Sequence, residues 1–78
     1  MTNYEIWQAV LADFELKLSK ANFNTWFQHT CIGEFKQGSV VIAVPNTFTK
    51  SWLEKKYHSD LVKTMERVTG KPIKRVEY

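Results

Sequence analysis

The residues in this sequence best suited to bind a metal or act as a nucleophile are two histidines and one cysteine. His29 and Cys31 lie two positions apart, so on a strand their side chains would share a face and supply half of a metal site. A tetrahedral site needs four ligands, and the remaining histidine, His58, falls on a separate predicted helix. A nucleophilic Cys/His pair would also need an orienting group and an oxyanion loop, which the sequence does not offer. We therefore predict neither a metal site nor an enzyme.

The few glycines of the sequence exclude the common glycine-rich phosphate-binding loops. Glycine occurs only at positions 33, 38 and 70, so neither a phosphate-cradling loop nor the GxxG clamp of KH domains can be formed. A basic cluster does lie near the end of the chain, at Lys71, Lys74 and Arg75. It is interpreted either as solvated surface or as a weak contact for nucleic-acid phosphates, and both interpretations stay open.

The aromatic residues pose a sharper question. Trp26, Phe27, Trp52 and Tyr57 recur at helical spacing and are most simply core residues. Phe48 differs, because it falls in the first turn of a predicted helix, where a ring is harder to cover completely. Periodicity leaves two interpretations open for Phe48: a core position, or an anchor for a partner, since aromatic residues dominate contact hot spots.

These residues are positioned by a strand joined directly to a long helix. Residues 40–44 predict a buried strand, which Pro45 ends because it lacks an N–H donor. Asn46 is a typical helix cap, and helical spacing then predicts a helix over 46–69 with an irregularity at 58–60. Gly70 is placed to end that helix.

The remaining elements are shorter. A capping box at Thr2 and Glu5 predicts a first helix from about 3 to 18. Its buried stripe is predicted to hold Trp7, Val10, Leu11, Phe14 and Leu18. Tyr4 and Ile6 lie off the centre of that stripe, so the helix carries more apolar surface than one face needs. A short second helix, a hairpin with strands at 30–35 and 40–44, and a final strand at 73–78 complete the α-α-β-β-α-β order.

Composition agrees with one small domain, and the order of elements predicts the α+β class with a three-stranded sheet packed by helices. The 78 residues are 44% hydrophobic and carry a net charge of +3, with the excess of basic residues in the second half. The single cysteine permits no internal disulfide and favours a reducing cytoplasm. The first residues lack a signal sequence and no apolar run approaches the ~20 residues of a membrane span, so we expect no membrane partner.

The order and spacing of several short motifs resemble a known family. They are Ile6-Trp7, Leu18-Ser19-Lys20, Phe23-Asn24-Thr25-Trp26, Val44-Pro45-Asn46-Thr47-Phe48 and Trp52-Leu53-Glu54-Lys55-Lys56-Tyr57. Together they are similar to the N-terminal domain (domain I) of DnaA, the bacterial replication initiator, over nearly the whole chain. The resemblance implies a fold distantly like KH domains and a protein-interaction module in the cytoplasm. It places the ATP-binding AAA+ domain and the helix-turn-helix domain beyond a flexible linker, so no cofactor is expected in this domain.

The resemblance also implies partners and surfaces. It implies weak self-association around Trp7, and the extra apolar surface of the first helix adds Tyr4 and Ile6 to the predicted contact. It implies binding of the replicative helicase and of species-specific initiation regulators, with the regulator surface at the second helix and the start of the third. That surface maps to Asn22, Thr25, Trp26, Asn46, Phe48 and Thr49. Some members carry an acidic residue, tied to helicase contact, where this sequence has Asn22. The alternative function is a small KH-like module that binds single-stranded nucleic acid weakly.

Overall fold

The first two helices begin at the predicted side-chain caps. In the computed structural model, which describes residues 1–78, α1 spans Asn3–Lys17 and α2 spans Lys20–Phe27. Thr2 Oγ1 accepts from the Glu5 N–H at 3.1 Å while a Glu5 carboxylate oxygen accepts from the Thr2 N–H at 2.8 Å, which completes the capping box. Ser19 Oγ accepts from the Asn22 N–H at 3.2 Å. Both helix starts therefore satisfy otherwise free N–H groups locally.

A small mixed sheet follows. Its strands β1 (Cys31–Lys36) and β2 (Ser39–Ala43) form the predicted antiparallel hairpin, and β3 (Arg75–Glu77) pairs parallel to β2. Gln37 and Gly38 have φ angles of 53° and 82° in the two-residue turn. The predicted strand over 73–78 is longer than the one observed. It begins late because Ile73 donates its N–H to Glu66 at 3.0 Å instead of pairing with a strand.

Strand β2 is buried on only one face. Val40 and Ile42 are fully buried, while Val41 is half-buried and Ala43 is exposed. The prediction of a strand buried throughout was wrong, because the helices cover only the face of the sheet to which Val40 and Ile42 point. The α+β class and the order α-α-β-β-α-β are confirmed, with the third helical region divided. The likeness to KH domains stays a prediction.

The long helical segment after Asn46 is interrupted. It consists of α3 (Thr47–Trp52), a π-helical turn over Leu53–Tyr57, and α4 (His58–Thr69). The irregularity predicted at 58–60 lies one turn earlier, in the π turn. Gly70 ends α4 with a left-handed φ of 68°, as predicted. None of the helices is long and apolar enough to cross a membrane.

Aromatic side chains from three helical segments form the centre of the core. Phe14 of α1 stacks on Phe27 of α2 with ring centroids 4.7 Å apart, and Tyr57 of the π turn meets both rings edge-on. The Trp7 indole N–H donates to Thr30 Oγ1 at 3.1 Å, so its one polar atom is satisfied although the ring is only 1% exposed. These contacts set the positions of α1, α2 and the π turn relative to one another.

Charged groups join α1 to α4 at the edge of this core. The carboxylate of Asp13 accepts from Lys17 at 2.9 Å, from Arg67 at 2.6 Å and from the Thr64 hydroxyl at 3.4 Å. The hydrogen bond from Lys17 is the main cause that lowers the pKa of Asp13, with a smaller contribution from Arg67. Asp13 therefore joins α1 to α4 through an ion pair and a hydrogen bond.

We predict that Asp13→Asn lowers the free energy of unfolding by about 1 kcal/mol or less at neutral pH, the range of exposed ion pairs. Because the pKa of Asp13 is lowered on folding, its contribution is present above the unfolded pKa of about 3.9 and is lost as pH falls through the folded pKa. Thermal unfolding of both proteins across acid and neutral pH should show their difference disappearing at the acid end. Glu15→Gln, on an exposed position of α1, is the matched control. An equal effect of both substitutions would contradict the prediction.

Candidate functional site

Three aromatic side chains from two helices stack at the surface. The Trp26 ring of α2 lies parallel to two rings of α3: Phe48, with centroids 5.6 Å apart and planes at 15°, and Trp52, at 4.7 Å and 13°. We call Trp26, Phe48 and Trp52 the aromatic stack. Trp26 is half-buried, Trp52 is 37% exposed and Phe48 is 71% exposed. The prediction that Trp26 and Trp52 are simply core was wrong, because their rings cover each other beside the core instead of entering it.

The exposure of Phe48 follows from where α3 begins. Asn46 Oδ1 accepts from the Thr49 N–H at 2.8 Å, so the helix starts at Thr47 and Phe48 occupies its first turn. The Trp26 ring covers one side of Phe48, and most of the Phe48 side chain faces solvent. Of the two interpretations left open by the sequence, the core position is therefore excluded.

Exposed polar residues lie on the two segments that carry the aromatic stack. Asn22 and Thr25 on α2 and Asn46 before α3 are all exposed. The Thr25 hydroxyl donates to the carbonyl of Ala21 at 2.7 Å. Exposed amides beside an apolar centre are the arrangement typical of a contact surface with a hydrated rim.

Thr49 does not belong to this surface. Its side chain is 5% exposed, because Thr49 lies on the inner face of α3, next to Phe48 in sequence but about 100° away around the helix. Its placement among the exposed contact residues was wrong. Thr49 instead supports the surface by packing α3 against the protein.

Sequence reasoning missed one residue of the site. Lys56 in the π turn places its ammonium group 5.6 Å from the centroid of the Trp52 ring. Its spacing of four residues from Trp52 was a usable signal, because residues four apart are neighbours on a helix surface. Lys56 is exposed and adds a positive charge at one end of the aromatic stack.

The residues expected to mediate self-association do not share one surface. Tyr4 is 73% exposed, whereas Ile6 is 8% and Trp7 is 1% exposed. Trp7 lies on the predicted buried stripe of α1, and its indole is hydrogen-bonded internally to Thr30. Of the three, only Tyr4 has its side chain at the surface.

The basic cluster is exposed, and one of its three charges is paired with a carboxylate. Lys71 and Lys74 line a shallow concavity with Gln37, Gly38 and Pro72. Arg75 is paired with Glu77 at 3.0 Å, which offsets its charge. The cluster thus presents two lysines, a modest attraction for phosphate groups.

The two histidines and the cysteine lie in the turn before β1, at the start of β1 and at the start of α4. His29 has a left-handed φ of 62° in the turn before β1, and Cys31 is exposed at the start of that strand. A ring nitrogen of His58, Nδ1, lies 2.9 Å from the Tyr78 hydroxyl in a hydrogen bond. Burial raises the pKa of that hydroxyl above its ordinary value, with a smaller contribution from Glu54. This pairing ties the last residue to the start of α4.

Known proteins share this sequence pattern. The family model described as the DnaA N-terminal domain matches residues 4–67. The chromosomal replication initiator protein DnaA of Gloeobacter violaceus is 32% identical over 68 residues, which cover 87% of this chain and 15% of the relative. DnaA of Thermomicrobium roseum is 33% identical over 73 residues, with 94% and 16% covered. DnaA of Picosynechococcus sp. is 30% identical over 69 residues, with 88% and 15% covered.

The chain therefore spans about 15% of the length of the curated relatives it matches. The matched region contains α1 except its first residue, then α2, β1, β2, α3, the π turn and most of α4, and it includes all three residues of the aromatic stack. A family model that covers so much of the chain establishes membership. This chain belongs to the DnaA N-terminal domain family.

Proposed function

We propose that this domain is a protein-interaction module of a bacterial replication initiator and that the aromatic stack is its principal partner-binding surface. The observation that carries the proposal is the 71% exposure of Phe48 beside Trp26 and Trp52. An exposed ring stacked on a second, half-buried ring offers a large contact area at little entropic cost. Aromatic residues of this kind account for much of the binding energy at protein interfaces.

The expected partners are the replicative helicase and regulators of initiation. Asn22 and Asn46 provide neutral amides on the same two segments as the rings, and Lys56 provides a positive charge beside Trp52. Because Asn22 is uncharged, recognition here would depend on aromatic contact and amide hydrogen bonds more than on an acidic side chain. No cofactor and no catalytic step are needed for this role.

A small surface suffices when the domain is tethered. Several initiators aligned on one DNA raise the effective concentration of each attached domain, so individually weak contacts combine into a stable assembly. Self-association would contribute in the same way. We infer that Tyr4 makes the direct contact between copies, while Ile6 and Trp7 support it from within.

The second candidate function is weak binding of single-stranded nucleic acid. The observation that favours it is the exposed pair Lys71 and Lys74 beside the turn at Gly38. Two lysines without a base-stacking platform of their own support low affinity and no sequence preference. This activity would operate in the cytoplasm alongside the protein contacts and does not compete with them for residues.

We predict that Phe48→Ala weakens binding of the purified replicative helicase of the same organism by about 2 kcal/mol or more, the range of interface hot spots. Stability should fall by much less than the ~3–5 kcal/mol that truncation of a buried Phe costs, because the ring is mostly exposed. Calorimetric titration and thermal unfolding of the same samples measure the two effects.

Leu16→Ala is the matched control for Phe48→Ala. Leu16 is 89% exposed on α1, so its truncation removes a similar exposed apolar group away from the aromatic stack. Helicase affinity should be unchanged in this control. If Phe48→Ala binds as tightly as Leu16→Ala, the aromatic stack is not the helicase-binding surface.

We predict that the isolated domain dimerises with micromolar or weaker affinity and that Tyr4→Ala abolishes the dimer without lowering the melting temperature. Tyr4 is 73% exposed, so its removal leaves the core intact. Trp7→Ala should instead unfold or strongly destabilise the domain, since the ring is 1% exposed. Sedimentation up to millimolar concentration measures association. A wild-type domain that stays monomeric throughout contradicts the prediction.

We predict that a single-stranded oligonucleotide binds weakly and is released as salt rises, and that the double variant Lys71→Ala/Lys74→Ala reduces both the affinity and its salt dependence. Lys63→Ala, an exposed lysine of α4, is the control and should change little. Fluorescence anisotropy at several salt concentrations gives the slopes. Tight, sequence-selective binding of a duplex at physiological salt would rule out this account of the basic cluster.

A further inference from the structure

The π turn at Leu53–Tyr57 solves a geometric problem in the long helical segment. Buried side chains occur there at every fourth position: Thr49, Leu53, Tyr57, Leu61 and Met65. On a regular α-helix each step of four residues advances about 40° beyond a full turn. From Thr49 to Met65 this drift amounts to roughly 160°, so the two ends could not both face one core.

A π turn removes most of that drift. Its hydrogen bonds run from i to i+5, so the turn accommodates about one residue more than an α-helical turn does. One residue corresponds to about 100° of rotation. The π turn therefore rotates α3 relative to α4 by roughly that angle, and the five buried side chains fall on one stripe. Leu53 and Tyr57, its first and last residues, are both buried.

The same rotation places the two rings of α3 beside α2. Phe48 and Trp52 each precede a buried residue by one position, so they lie about 100° from the buried stripe. Without the π turn they would point almost directly away from the core that α4 faces. With it, they lie on the flank next to α2, where Trp26 stacks on both.

The π turn also supplies a side chain to the surface it positions. Lys56 lies within the turn, and its ammonium group is 5.6 Å from the Trp52 centroid. Glu54 and Lys55 of the same turn are exposed. Single π turns inside α-helices occur frequently at functional sites, where they reorient side chains.

We propose that the π turn is the positioning element of the aromatic stack: the extra residue it accommodates sets the rotation that brings Phe48 and Trp52 against Trp26. The inference that the π turn affects partner binding rests on the proposed function of the aromatic stack. The positioning itself is independent of any partner and can be measured in the isolated chain.

Deletion of Lys55 tests the proposal. It removes an exposed residue from the π turn, so a regular α-helix can then connect α3 and α4 with nearly the same rotation between them. Stacked indoles couple their far-ultraviolet transitions and give a pair of circular-dichroism bands of opposite sign. We expect the deletion variant to unfold cooperatively and to keep that band pair. Trp26→Phe, which removes one partner of the 4.7 Å indole pair, identifies the signal.

Deletion of Lys63 is the matched control. Lys63 is also an exposed lysine of the same helical segment, but it lies in α4, where no wide turn can absorb the change. We expect its melting temperature to fall several times further than that of the Lys55 deletion. Equal losses of melting temperature in the two variants, or loss of the paired bands in a folded Lys55 deletion, would overturn the proposal.

Insertion of one alanine after Lys55 tests the opposite direction. It adds about 100° of rotation that the π turn has no further room to absorb, so Phe48 and Trp52 should turn away from α2 and the band pair should disappear. A band pair of unchanged size would overturn the proposal. These spectra require no partner, so they stand even if Phe48→Ala leaves helicase binding unaffected, a result that would reject only the proposed function.

Discussion

The packing of Phe14, Phe27 and Tyr57 is the interaction on which the rest of the structure depends. Each ring comes from a different helical segment, and each contacts the other two, with centroids between 4.7 and 6.1 Å apart. A domain of this size buries limited apolar surface, so a few large rings must account for much of its stability. The short helix α2 in particular has only Phe27 fully buried, and this contact seats it beside α1.

That arrangement explains how three aromatic rings can lie at the surface without weakening the core. Phe27 points inward, so the preceding residue, Trp26, is directed about 100° around α2 toward the flank. Tyr57 fixes the π turn in the same core, and the π turn sets the direction in which Trp52 and Phe48 leave α3. The rings of the aromatic stack thus extend outward from positions set by buried neighbours. They are ordered by one another and still accessible to a partner.

Residues close together on one helix can be buried or exposed, depending on whether they face the core. Thr49 is buried and packs α3 onto the domain, while Phe48 beside it is exposed. Trp7 is enclosed and hydrogen-bonded to Thr30, while Tyr4, one helical turn earlier, faces solvent. A substitution at an inner position alters folding, and one at an outer position alters contacts. Effects on assembly caused by changes at Trp7 would therefore act through the structure of α1.

Local signals in the sequence determined where the helices begin and end and where the hairpin turns. The capping box at Thr2 and Glu5, the cap at Asn46, the turn at Gly38 and the stop at Gly70 each act within a few residues, so they could be predicted without tertiary contacts. The order of short motifs identified the family, and the position of Phe48 in a first turn made its exposure a reasonable hypothesis.

Tertiary structure decided which of the apolar residues are buried. Periodicity shows that a residue lies on an apolar stripe, but it does not show which part of that stripe a neighbouring element covers. The single buried face of β2, the partial exposure of Trp26 and Trp52, and the burial of Thr49 depend on where the helices pack. The π turn depends on them too, because its rotation is favourable only when residues on both sides of it must face one core.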